Sequence, residues 1–111
     1  MNYSYQRQLD IPFDDVDSKI RSTLKEQDFG VLTEINIHVA FKEKLDTDYN
    51  KYRILGACNP TLAKQALDYQ LEVGMLMPCN VIFWENENGT VTFSAVDAEQ
   101  QFRATDEEDL V

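Results

Sequence analysis

Phe13, Val16, Ile20 and Leu24 follow one another at steps of three and four. From Gly30 onward the spacing changes: Val31, Thr33, Ile35, Ile37 and Val39 alternate with Leu32, Glu34, Asn36 and His38. Steps of three and four stack side chains on one face of a helix, and steps of two stack them on one face of a strand. This switch of period constrains the chain more than any other feature, because an amphipathic helix must give way at once to a strand. The spacing predicts a helix over 14–28, with Asp14 capping the first amides and Asp15 and Asp17 at the positive end of the dipole. Gly30 is expected to stop the helix in a left-handed conformation. The strand is expected over 31–39.

The remaining elements follow from the same rules. Residues 3–9 alternate, with Tyr3, Tyr5, Arg7 and Leu9 on one side, and read as a strand that Pro12 ends. Residues 41–50 read as a short helical or irregular stretch and 52–58 as a third strand. Asn59-Pro60 is a helix start, since the Asn side chain accepts from an unpaired amide where Pro lacks a donor. Leu62, Ala66, Tyr69 and Val73 make the expected buried stripe of that helix, with Ala63 and Leu67 beside them and Gly74 at its end. Strands over 80–85 and 90–96 flank Asn88-Gly89, a dipeptide suited to the positive φ of a hairpin turn. A last helical turn is expected over 97–103.

The order is β-α-β-β-α-β-β, an α+β two-layer sandwich with a mainly antiparallel five-stranded sheet and two main helices. With 111 residues, one domain over 1–103 accounts for the chain, and 104–111 read as an acidic, frayed tail. An apolar content of 43% supplies a core without disulfides or a structural metal.

Twenty Asp and Glu against ten Lys and Arg give a formal charge of −10. Such a surface disfavours nucleic acid and anionic membrane, which bind through cationic contacts. Lys42, Lys44, Lys51 and Arg53 cluster locally and read as solvated surface charges. No apolar run reaches the roughly 20 residues that span a bilayer. The segment MNYSYQRQLDIPF lacks the basic leader and apolar core of a signal peptide, so the two cysteines are expected to be reduced thiols in the cytoplasm.

Cys58 and Cys79 are the soft ligands or nucleophiles of this chain, and His38 is its one histidine. Cys58 precedes a helix N-terminus, where amide dipoles stabilise a thiolate. Each thiol stands beside an amide side chain, Cys58 before Asn59 and Cys79 before Asn80. A strand-helix-strand crossover would put the cysteines at opposite edges of the sheet, which argues against a disulfide; an antiparallel neighbour relation would reverse that. Two separated thiols and one histidine do not make a closed zinc site, and no cofactor is expected; a two-thiolate site for a soft metal such as Cu(I), or one completed across a dimer, stays open as an alternative. Glu34 and His38, expected on one strand face, and Asp97, with Glu99 nearby, are weaker candidates with ordinary explanations as solvated groups.

The segments FGVLTEI (29–35), FKEKLD (41–46), YRILGACNP (52–60), MPCNVIFWE (77–85) and VTFSAVD (91–97) resemble the "domain of unknown function 302" family over about residues 3–103. ILGACNP followed some twenty residues later by LMPCNV is specific to it. The resemblance implies a compact two-layer α+β fold, a homodimer, and a bacterial or archaeal setting, and it brings no activity, substrate or cofactor. Cys58, Asn59, Cys79 and Asn80 belong to the family's signature and so become site candidates. His38 departs from the family pattern, as does Ala98 after Asp97.

Three functions compete. The first is a homodimeric binding or regulatory module without turnover, with Tyr3, Tyr5 and Trp84 lining a shared groove and an edge strand open for pairing. The second is a thiol-based redox or soft-metal-handling protein using Cys58 and Cys79. The third is an enzyme with a small-molecule pocket at a dimer interface, which would draw on Glu34, His38 or Asn80.

Overall fold

Three residues of the three-and-four spacing, Phe13, Val16 and Ile20, are buried by helix α1 (Phe13–Glu26). They meet Leu55, Val81, Phe83 and Val91, which project from one face of a sheet. The structure, a computed structural model, describes residues 4–96. Its strands are β1 (Ser4–Leu9), β2 (Gly30–Asn36), β3 (Tyr52–Cys58), β4 (Cys79–Glu85) and β5 (Val91–Val96). They form one sheet in the order β1-β5-β4-β3-β2, and every described pairing is antiparallel. Helices α2 (Ile37–Leu45) and α3 (Pro60–Tyr69) and a 3₁₀ turn (Leu71–Leu76) complete the described elements. The α+β class and the five-stranded sheet agree with the sequence. Each fully buried Val, Leu or Phe contributes about 1.5–3 kcal/mol, so the seam between α1 and β3-β4-β5 dominates stability.

Several local expectations need correction. Pro12, not Asp14, occupies the cap of α1, and its carbonyl accepts from the amides of Asp15 and Val16 at 3.0 and 3.1 Å. The helix ends at Glu26, four residues before Gly30. Asp28 takes the left-handed conformation, with φ 65°, while the Phe29 amide closes on the Leu24 carbonyl at 2.8 Å. Asp tolerates that region better than most residues. Gly30 simply opens β2.

The strand expected over 31–39 stops at Asn36, and α2 begins at Ile37. Asn36 pairs with Arg53, and the next amide of β3, that of Tyr52, donates to the His38 side chain at 3.0 Å in place of a further rung. The sequence IHVAF fits both periods: Ile37 and Val39 alternate, yet Ile37, Ala40 and Phe41 also share a helical face. Those three are half-buried, while Val39 is exposed. His38 therefore sits on a helix and does not share a strand face with Glu34.

Helix α3 starts as expected, with the Asn59 side chain accepting from the Leu62 amide at 3.1 Å and Pro60 in the first turn. Its inner face is rotated from the expected stripe. Ala63, Ala66 and Leu67 are half-buried, whereas Leu62 and Tyr69 are 56% and 59% exposed. The helix breaks at Gln70, and Val73 is buried from the 3₁₀ turn instead. Gly74 does not end α3; its carbonyl accepts from the Met77 amide at 3.2 Å to close that turn. In the β4-β5 hairpin only Gly89 has positive φ, at 86°, and its amide donates to the Asn86 carbonyl at 3.0 Å.

Gly56, in the middle of ILGACNP, lies where β3 is pressed from two sides. A Cβ there would overlap Thr33 Oγ1 and come within 2.6 Å of Pro78 Cγ. Gly56→Ala must displace β2 or the residues leading into β4, and is expected to cost about 1–3 kcal/mol, the usual range for overpacking. A Cβ at Gly30 meets nothing within 4 Å, so Gly30→Ala is the control and should change stability by less than about 0.5 kcal/mol. Urea unfolding of the two variants, monitored by Trp84 fluorescence, checks both values.

A two-thiol cavity at the joined ends of β3 and β4

Strand β3 ends at Cys58 and β4 begins at Cys79. The two strands are antiparallel neighbours with Ala57 opposite Cys79 and Gly56 opposite Asn80. The cysteines are thus one rung apart, not at opposite edges of the sheet as the simple crossover implied. The reason is the path between them. Ten-residue α3 rises about 15 Å; the 3₁₀ turn Leu71–Leu76 and then Met77 and Pro78 carry the chain back to the level where it left β3. Both cysteines are free and half-buried.

They line one cavity of about 140 Å³, together with Asn59, Met77, Pro78, Phe29, Ala57 and the Leu62, Ala63 and Ala66 side of α3. Ala57 and Cys79 share the sheet face that carries Leu55 and Val81. Burial, reinforced by the neighbouring Cys58 sulfur, pushes the Cys79 thiol above its ordinary value of 9.0. None of the lining residues is Asp, Glu, His, Lys or Arg. The cavity is apolar apart from its two thiols and the Asn59 amide, which is already engaged as the α3 cap.

Of the four signature residues, Cys58, Asn59 and Cys79 line this cavity. Asn80, opposite Gly56 in the ladder, does not, and it is exposed. Met77 is the lining residue that sequence reasoning missed as a site member. Its signal was available as a thioether two positions before a thiol in MPCNV.

The weaker candidates lie elsewhere. Glu34 belongs to a charged network that ties α1 to β2 and β3. Arg21 binds both Asp17, at 2.6 Å, and Glu34, while Arg53 reaches Asp17 Oδ2 at 3.1 Å and donates to Asn36 Oδ1 at 2.6 Å. The Asn36 amide, then Arg53 and Arg21, hold the Glu34 carboxyl below its ordinary value. It is an ionised structural group. His38 Nδ1 accepts from the Tyr52 amide at 3.0 Å, and the ring meets Phe13 edge-on at 6.5 Å. That fastens α2 to β3. Asp97 and Glu99, the helical turn expected over 97–103 and the acidic tail lie outside the described residues.

The local basic cluster is not one solvated patch. Arg53 is only 17% exposed and lies over the rings of Phe13 and Phe83 at 5.1 and 5.9 Å. Lys51 also lies over Phe13, at 5.7 Å, and Lys42 pairs with Asp46 and Asp48 at 3.3 and 3.2 Å.

Among the described residues, no group of three or more His, Cys, Asp or Glu is arranged to hold a metal ion. The donor atoms that the side chains of the lining residues could offer a metal are the sulfurs of Cys58, Cys79 and Met77 and the Asn59 amide oxygen, which caps α3; sulfur ligands suit soft monovalent ions.

These features define an α+β domain with a five-stranded antiparallel sheet and a cysteine-lined cavity at the joined ends of its two central strands. The chain belongs to the family described as Domain of unknown function DUF302, whose model matches residues 5–111. It is similar to the crystal structure of an uncharacterized conserved protein DUF302 from Bacillus stearothermophilus, with a TM-score of 0.88 and 22% identity over 99% of this chain and 85% of that one. At that identity the likeness establishes the fold. No curated protein matches the chain. Among the described residues no helix is long and apolar enough to cross a membrane.

The raised Cys79 value fixes a pH dependence. Above the ordinary thiol value the unfolded chain sheds this proton while the folded chain keeps it, so stability is fully present below about pH 9 and falls as pH rises further. Chemical denaturation of wild type and Cys79→Ala between pH 7 and pH 10.5 should show a steeper alkaline loss in wild type. Parallel curves would contradict the assignment.

Proposed function

We propose that this protein is a non-catalytic binding module that takes up a soft, thiophilic metal ion, Cu(I) foremost, between Cys58 and Cys79. The observation that carries this reading is that Cys58, Cys79 and Met77 all line one apolar cavity of about 140 Å³. Pockets for organic ligands are typically about 300–1,000 Å³. The smaller volume favours an ion over a substrate, and the absence of any acid or base from the lining argues against turnover. A formal charge of −10 favours a cation over an anion. Binding replaces thiol protons, so uptake strengthens as pH rises. Redox exchange between the thiols is the second reading, favoured by their position on adjacent rungs; it belongs to the same pair and the same reduced, cytoplasmic setting.

We propose further that the module works as a homodimer. Strands β2 and β1 are the two edges of the sheet, and β2 presents Leu32, 67% exposed, and Ile35, 47% exposed. Pairing with a second copy along β2 would cover these groups and remove an open edge.

Native mass spectrometry of the reduced protein after anaerobic Cu(I) loading tests both parts. The expected result is a dimer with one copper per chain, lost in Cys58→Ser and in Cys79→Ser and weakened in Met77→Leu, with folding of each variant followed by circular dichroism. Copper retained at one per chain in both serine variants would refute the site. A copper-loaded monomer would refute only the dimer.

A further inference from the structure

A second cleft lies at the other end of β3 and β4, and its lining has a different chemistry. It has a volume of about 650 Å³ and is lined by Tyr49, Tyr52 and Trp84, with Asp48, Glu85 and Glu87 also among the lining residues. No Lys or Arg lines it. Lys42 reaches Asp48 from outside at 3.2 Å, but both groups of that pair are mostly exposed, so it leaves most of the negative field in place. Lys51 is turned onto Phe13.

The aromatic walls are held before any ligand arrives. Tyr52 and Trp84 are cross-strand partners on one sheet face, with rings stacked at 5.7 Å and 7° between planes. The Trp84 indole N–H donates to Asn86 Oδ1 at 3.1 Å, and the Asn86 amide in turn donates to Thr90 and Thr92 at 3.0 and 2.9 Å. Tyr49 is set by an edge-on contact with Phe41 at 4.9 Å. The Glu85 backbone at this end is held by its amide, which donates to the Lys51 carbonyl at 2.9 Å, and by its carbonyl, which accepts from the Asn50 side-chain amide at 3.3 Å.

Aromatic faces attract cations through their quadrupole, and tyrosine and tryptophan side chains are the usual walls of sites for quaternary ammonium groups. Acidic residues among the lining add Coulombic attraction. The volume is within the range of small-molecule sites and exceeds what a bare headgroup fills. We propose that this cleft binds a small organic cation, an alkylammonium head with an apolar body, with the head against Tyr49 and Trp84 and within the field of the acidic lining residues, Glu87 among them. The site is separate from the thiol cavity, with which it shares no lining residue.

Trp84 is the chain's one tryptophan, so its fluorescence reports on this cleft. The test titrates the full chain with choline and, at matched ionic strength, with the neutral isostere 3,3-dimethylbutan-1-ol. The expected result is a saturable Trp84 response to choline with an affinity at least about tenfold above that of the alcohol, equivalent to roughly 1.4 kcal/mol. Tyr49→Ala, at a half-exposed position outside the core, and Glu87→Gln should each weaken choline binding by a factor of three or more, on the order of a single cation–π or charge contribution. Equal responses to the two compounds, no saturable response to choline, or choline binding unchanged in both variants would overturn the proposal.

Discussion

The close approach of Pro78 to Gly56 is the constraint on which the arrangement of the site depends. Without a side chain at Gly56, the residue before β4 can lie against β3, and the chain returning from α3 enters the sheet beside the strand it left. That entry point sets the register that puts Ala57 opposite Cys79, and with it the adjacency of the two thiols. It also runs β4 past β3 so that Val81 and Phe83 meet Leu55 beneath α1, and Trp84 stacks on Tyr52 at the far end. One steric condition therefore positions the core and both ends of the central strand pair.

The charged network beneath α1 supports the same arrangement. Asp17, Arg21, Glu34 and Arg53 bring two cations and two anions together, and the Asp17 and Arg53 side chains are largely withdrawn from water. Removing one partner of such a group usually costs far more than the group adds to stability, because the remaining charge loses its counterpart. Its contribution is to fix where α1 crosses β2 and β3. Arg53 does this twice, through its ion pair and through the two phenyl rings it covers.

Much of the fold was legible because it is local. The three-and-four spacing of Phe13, Val16 and Ile20 marked a helix that does bury those residues, and Asn59-Pro60 marked a helix start whose cap is in place. What the sequence hid depends on partners distant along the chain. Strand β2 ends at Asn36 where the next β3 amide, that of Tyr52, is taken by the His38 side chain, and nothing within IHVAF announces that distant partner. The shared cavity of Cys58 and Cys79 likewise depends on how far residues 70–78 climb, which composition does not encode. The pairing of each cysteine with an asparagine was visible, but the equivalence it suggested does not hold: Asn59 caps a helix at the cavity, and Asn80 does not line it.

The central claim is that Cys58 and Cys79 act as a pair on one ligand. Phenylarsine oxide tests this directly, since a trivalent arsenical is held stably only by two thiols within reach of one atom. Electrospray mass spectrometry of the folded, reduced protein should show a single adduct per chain that survives excess monothiol, is reversed by a dithiol, and is absent when either cysteine is replaced by serine. A folded protein that forms no such adduct, while both thiols react singly with iodoacetamide, would contradict the account.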